Sequence, residues 1–112
     1  MGENIQVYAE LRKAVNGEKR IYLNVSDFTQ KQSDAVRTIL NEGHLDQKEL
    51  RKSLARITFV VARILRDEGF KKPQKNIESL NFQVGDKQPN TFSRGDGGVL
   101  AKAISWYKKH KK

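Results

Sequence analysis

The sequence contains no cysteine, and only two of its 112 residues are proline. Without thiols the chain has no disulfide framework, no thiol nucleophile and no thiolate zinc site. No apolar run approaches the roughly 20 residues that cross a bilayer. The N-terminus also lacks the basic stretch and apolar run of a signal peptide. We therefore expect a cytoplasmic protein without a membrane partner.

Acidic residues are outnumbered, because 13 aspartates and glutamates face 22 lysines and arginines, for a net charge of +9. Such an excess favours a polyanionic partner and accelerates encounters with it, although it does not determine the fold. The cations are concentrated in residues 71–75, on one face of a helix, and in residues 108–112. This pattern predicts nucleic-acid binding, with DNA favoured over RNA.

The apolar pattern predicts an α+β fold in a single domain over residues 1–112. Residues 5–25 alternate between apolar and polar side chains on both sides of Asn16-Gly17, which is typical of a small N-terminal two-stranded ribbon. Residues 9–14 are also rich in helix formers, so a helix followed by a strand is the alternative.

The connection within the ribbon sets which side chains share a face, because a slip of one residue reverses every side chain of a strand. A two-residue turn at Asn16-Gly17 would mix apolar and polar faces. A three-residue loop over 16–18 instead pairs Leu11 with Leu23 and Ala9 with Val25, and it is the predicted connection.

Three α-helices are predicted from capping residues and apolar stripes, over about 28–42, 46–68 and 97–109. The longest begins at Asp46, which is followed three residues later by Glu49, and Asp96 caps the last helix. Residues 69–96 are predicted to be largely loop with a short strand at 81–84. Residues 108–112 are predicted to form a frayed, disordered basic tail.

A strand followed by two helices, over 19–25, 28–42 and 46–68, resembles the ribbon-helix-helix DNA-binding core. The resemblance covers less than half of the chain and rests on element order alone. The preceding segment and the long second helix depart from that pattern, so no function is carried over from it.

One face of the longest helix supplies the main group of candidate contacts. Lys52, Arg56 and Arg63 fall within about 40° of one another around the helix axis. Phe59 and Arg66 lie beside them. Three cations in a strip can follow phosphates, and Phe59 can stack on a base. Val60 and Phe59 lie outside the main apolar arc, which predicts that this helix is buried on two sides, with a homodimer interface as one explanation.

The remaining candidate contacts come from the ribbon and from the basic segments. The outward face of the ribbon carries Arg12, Arg20 and Tyr22, which can read bases if the ribbon enters the major groove. The loop and the tail add Lys71, Lys72, Lys108, Lys109, Lys111 and Lys112.

We expect neither catalysis nor a cofactor or metal, since His44 and His110 fall in a turn and in the tail and no acidic pair is placed in a cleft. The alternative function is a protein-interaction module that docks on an acidic protein partner. Such a module would be an inhibitor, adaptor or regulator, for instance one encoded by a phage or mobile element. Its anchors would be Phe59, Phe82, Phe92 and Trp106.

Overall fold

The computed structural model describes residues 4–95 and 98–110, except for the side chain of Glu42. It confirms an α+β protein. The elements in chain order are β1 (Ile5–Val15), β2 (Glu18–Leu23), α1 (Gln30–Leu40), α2 (Gln47–Asp67), β3 (Ile77–Val84), β4 (Asn90–Ser93) and α3 (Val99–His110). Single 3₁₀ turns lie at Val25–Asp27, Glu42–His44 and Pro73–Lys75.

The four strands form one antiparallel sheet in the order β2-β1-β3-β4. The predicted ribbon is therefore half of a larger sheet, since β1 pairs with β3 as well as with β2. A lone two-stranded ribbon is marginally stable in water, and the second hairpin completes the surface on which the helices pack. The short strand predicted at 81–84 is confirmed as the second half of β3, whereas the prediction of loop for 77–80 and for β4 was wrong.

The turn between β1 and β2 has two residues rather than the predicted three. Asn16 and Gly17 both have positive φ, at 52° and 81°, as a type I′ hairpin turn requires. Val15 pairs with Glu18 across this turn. The local Asn-Gly signal was therefore the better guide to the loop length.

A bulge in β1 restores the match of apolar faces that a two-residue turn would otherwise lose. β1 carries extra residues before the turn, and beyond them Ala9 pairs with Ile21 and Val7 with Leu23. The predicted pairs of Leu11 with Leu23 and of Ala9 with Val25 were wrong. β2 ends at Leu23, and Val25 is 85% exposed in the following 3₁₀ turn.

The helix starts follow the predicted caps. The Thr29 hydroxyl accepts from the Gln32 backbone N–H while the Gln32 side chain accepts from the Thr29 N–H. At the start of α2, the Asp46 carboxylate accepts from the Glu49 N–H at 2.8 Å. The predicted cap Asp96 lies outside the described residues. α3 continues through His110, so Lys108 and Lys109 are helical and do not belong to a tail.

The hydrophobic core lies between one face of the sheet and the three helices. α2 is the middle helix and contacts both α1 and α3. Its buried positions therefore include Val60, which is fully buried within one chain. The wide apolar arc of α2 reflects these two neighbours, so it does not indicate a dimer. The opposite face of the sheet exposes Gln6, Arg20, Tyr22, Thr91 and Ser93. Of the helices in the described part of the chain, none is long and apolar enough to span a membrane.

Replacing Asp46 with alanine is expected to lower the free energy of unfolding by about 1 kcal/mol, because one N–H of the first turn of α2 loses its acceptor. Urea denaturation followed by circular dichroism measures the change. Asp67→Ala, at the other end of the same helix, is the matched control. It removes a negative charge from the C-terminal end of the helix dipole, so it should be neutral or slightly stabilising. Equal losses in the two variants would contradict the capping role.

Candidate nucleic-acid interface

The predicted strip on the longest helix is an outward ridge of the helical layer. We call Lys52, Arg56 and Arg63 the α2 stripe, and all three side chains are exposed. Neither Lys52 nor Arg56 has a hydrogen bond or ion pair with another described residue. Arg63 donates from Nη2 to the Asp27 carbonyl at 2.9 Å and is not paired with a carboxylate of the described residues. The stripe therefore presents three cations that no described carboxylate neutralises.

Phe59 and Arg66, predicted beside the stripe, both contact α3. The Phe59 ring meets the Tyr107 ring edge-on, with centroids 4.3 Å apart. Arg66 donates from Nη2 to the Tyr107 hydroxyl at 3.2 Å. Phe59 is half-buried and helps to hold α3 on α2. The sequence of α2 alone does not reveal this role, because the contact depends on where α3 packs.

A second basic surface lies in a groove of about 510 Å³ between the start of α2 and α3. We call it the α3 groove, and it is lined by Arg51, Ala101, Lys102, Ser105, Trp106, Lys109 and His110. The Trp106 and His110 rings stack at 3.9 Å with planes 14° apart. Sequence reasoning missed Arg51 and Lys102. The spacing of Lys102, Trp106 and Lys109, which are four and three residues apart, already indicates that they share one face of a helix.

A third basic surface lies where the loop that follows α2 approaches β1. A pocket of about 660 Å³, which we call the β1 pocket, is lined by Arg12, Lys13, Phe70, Lys71, Lys72, Lys75 and Asn76. Three of the predicted contact residues meet in this pocket, because Arg12 of β1 lies beside Lys71 and Lys72 of the loop. Sequence reasoning missed Lys13, Phe70 and Asn76 as members, since some 60 residues separate the two segments.

Asn76 fixes the geometry of the β1 pocket by joining it to β1. Its side-chain Oδ1 accepts from the Lys13 N–H at 2.6 Å, and its Nδ2 donates to the Lys13 carbonyl at 3.1 Å. Its own carbonyl accepts from the Arg12 N–H at 2.8 Å. Asn76 is only 5% exposed, and its three bonds hold the two segments in one register.

Arg94 fastens the same loop from the other side. Its guanidinium donates to the Lys75 carbonyl at 2.6 Å and to the Gln74 carbonyl at 2.5 Å. Burial lowers the pKa of Arg94 below its ordinary value, and the nearby Arg12 charge lowers it further, while Glu78 opposes the change. Arg12 and Arg94 are thus close enough to repel one another.

The outward sheet face places the predicted Arg20 and Tyr22 together with Tyr8. Arg20 pairs with Glu10 at 2.6 Å and lies over the Tyr8 ring, 4.5 Å from its centroid. Hydrogen bonds to Tyr22 and Glu10 raise the pKa of Arg20 above its ordinary value. Its donors are therefore largely engaged within the molecule, whereas Tyr22 remains 51% exposed.

The remaining predicted contacts and anchors are distributed as follows. Lys108 and Lys109 are exposed on the last turn of α3, and Lys111 and Lys112 lie outside the described residues. The prediction that Phe82 anchors a protein partner was wrong, because Phe82 is buried in the core. The Phe92 ring packs against the Phe82 ring, with centroids 5.9 Å apart.

In the part of the chain that the structure describes, no group of three or more histidine, aspartate or glutamate residues is arranged to hold a metal ion. Comparison of the chain with protein families, curated proteins and solved structures finds no match. The function must therefore be inferred from the charges and geometry of these surfaces.

Proposed function

We propose that this protein is a small non-enzymatic nucleic-acid-binding protein. The observation that carries the proposal is the β1 pocket, where Arg12 and Lys13 of one strand meet three lysines of a distant loop. No acidic side chain is among its lining residues. Glu78, outside the lining, pairs with Arg12 at 3.7 Å and offsets part of the charge. Like charges repel, so a fold that holds five cations together beside one carboxylate is suited to an anionic ligand.

The α2 stripe and the α3 groove extend this basic character along the helical layer. Lys52 and Arg63 are separated by about 16 Å along the axis of α2, at 1.5 Å per residue. That distance matches roughly five nucleotide steps of one strand of a duplex. Lys102 and Lys109 add further cations on α3. A polyanion has several phosphates with which to satisfy these groups at once.

DNA is favoured over RNA because the accessible groups suit contacts with a phosphate backbone. Sheet proteins that read single-stranded RNA stack its bases on exposed aromatic rings. On this sheet the Tyr8 ring is covered by the Arg20 guanidinium, and Tyr22, which is 51% exposed, offers one ring where such proteins use two or three. Contacts with backbone phosphates, which dominate binding to duplex DNA, fit the exposed cations better.

The alternative, docking on an acidic protein, has less support. Such an interface needs large side chains that fill pockets of the partner at its centre. Phe59 and Phe82 are both committed to packing inside this molecule. Among the four anchors considered, Trp106 alone lines a basic groove, and there it already stacks on His110.

The affinity for duplex DNA is expected to fall steeply with salt, since each neutralised phosphate releases counterions. Replacing Lys52 and Arg56 with alanine should reduce the slope of log K against log salt by about 2, at roughly 0.9 per phosphate contact. Fluorescence anisotropy with a labelled duplex at several salt concentrations measures both quantities.

The matched control for the α2 stripe is the double variant Lys31→Ala/Lys87→Ala, which removes the same charge from residues outside the three basic surfaces. It should change the slope less than the Lys52/Arg56 variant does. An affinity that stays constant between about 50 and 300 mM salt would overturn the proposed function, because backbone binding requires counterion release.

A further inference from the structure

We infer that the β1 pocket binds the terminal phosphate of a nucleic-acid strand, in preference to the phosphates within the strand. This inference rests on the proposed function and assigns one of its surfaces a more specific ligand. It follows from the charge of the pocket, from the rigidity of its walls and from its place at the end of α2.

The charge of the β1 pocket matches a phosphate monoester. Five cations line it, namely Arg12, Lys13, Lys71, Lys72 and Lys75. The Glu78 Oε1 atom lies 3.7 Å from Arg12 Nε, so this carboxylate partly offsets the charge of Arg12. A terminal phosphate carries about −1.5 to −2 at neutral pH and offers three acceptor oxygens. A phosphate within a strand carries only one negative charge, so the monoester satisfies more of the lysines.

The walls of the pocket are held in place before any ligand arrives. Asn76 fixes Arg12 and Lys13 through three hydrogen bonds. Arg94 fixes the backbone at Gln74 and Lys75 from the opposite side. Pro73 and Gln74 are buried, which anchors the loop between the exposed lysines. A preorganised site loses less conformational entropy on binding and so retains more of the interaction energy.

The position of the pocket suits a strand end. Phe70 lies three residues after the end of α2, and its N–H donates to the Leu65 carbonyl at 3.0 Å. The pocket therefore begins where the helix that carries the α2 stripe ends. A strand that follows the stripe towards this end can place its last phosphate among the lysines. Phe70 adds an aromatic ring to the same wall, against which the terminal sugar or base can pack.

The test compares otherwise identical single-stranded and duplex oligonucleotides with a 5′-phosphate, a 3′-phosphate or only hydroxyl groups at their ends. Anisotropy competition against one labelled duplex ranks their affinities for the full chain. At least one phosphorylated end should bind about tenfold more tightly than the hydroxyl end, as expected for added charge-assisted hydrogen bonds. The 5′ and 3′ arms identify which end the pocket accepts.

Variants assign the preference to the pocket. Lys71→Ala/Lys72→Ala/Lys75→Ala should abolish the preference, so that phosphorylated and hydroxyl-ended oligonucleotides bind equally, and it should weaken binding to the hydroxyl-ended oligonucleotide only through the loss of three charges. Because all three side chains are exposed, this variant should fold, and its thermal unfolding curve checks that it does. The control Lys52→Ala/Arg56→Ala/Lys102→Ala removes the same charge elsewhere, and it should weaken all oligonucleotides alike and keep the preference.

Three results would overturn the inference. Equal affinity for phosphorylated and hydroxyl ends, with binding otherwise intact and dependent on salt, would refute the terminal site and leave the proposed function standing. A preference that survives the triple lysine variant would place the site elsewhere. Absence of binding to every oligonucleotide at low salt would overturn both the inference and the proposed function.

Discussion

Replacement of Tyr107 with alanine should lower the free energy of unfolding by about 3–5 kcal/mol, the cost of removing a large aromatic side chain from a core. Tyr107 is 1% exposed. Its ring supports Phe59 edge-on, and its hydroxyl accepts from Arg66. The side chain thus joins α3 to α2 through packing and through a polar contact. Urea denaturation monitored by circular dichroism gives the free energy.

Tyr107→Phe is the control, because it keeps the ring and removes only the hydroxyl. It should lower the free energy of unfolding by no more than about 1 kcal/mol, since Arg66 is exposed and can bond to water instead. If the alanine variant were as stable as the phenylalanine variant, the ring would not hold α3 in place. Phe59 would then be available for stacking on a base, contrary to the packing described here.

Asn76→Ala is expected to lower the free energy of unfolding by about 1–3 kcal/mol. The substitution removes two part-buried hydrogen bonds, at about 0.5–1.5 kcal/mol each, and the N–H and C=O of the exposed residue Lys13 can then bond to water. It also releases β1 from the loop that carries Lys71, Lys72 and Lys75. Denaturant titration measures stability, and native-state hydrogen exchange at Lys13 reports the local loosening.

The control for this substitution is Asn4→Ala, since Asn4 is exposed and its described bond uses only the backbone carbonyl. Its effect should stay within about 0.5 kcal/mol, as is usual for surface positions. Protection of the Lys13 amide that persists in Asn76→Ala would show that β1 is held without the asparagine.

The helices could be predicted closely because their signals are local. Thr29 and Asp46 each cap the helix that follows them, and such contacts span only three residues. The first half of β3 and all of β4 were missed for the opposite reason. Ser79 and Asn81 lie on the sheet face away from the helices, where they are buried and hydrogen-bonded to each other, so in the sequence these polar residues resemble a loop. The apolar positions next to them become recognisable as a strand only beside β1.

The candidate interface could be predicted as a set of cations but not as a set of sites. Adjacent lysines at 71 and 72 are visible in the sequence, whereas their approach to Arg12 depends on the pairing of β1 with β3. That pairing shifts register between Glu10 and Leu11, which no local pattern indicates. Phe59 was placed correctly on α2, but the identity of its neighbour Tyr107 depends on how α3 crosses that helix.

The outer strands of the sheet bear on how the protein behaves when it is concentrated. β4 has four residues, and β2 has six, of which the first three are Glu18, Lys19 and Arg20. Fibre growth by addition of strands needs a long, flat and apolar edge, and short or charged edges discourage it. One face of this sheet can therefore stay open to solvent without making the molecule prone to polymerise.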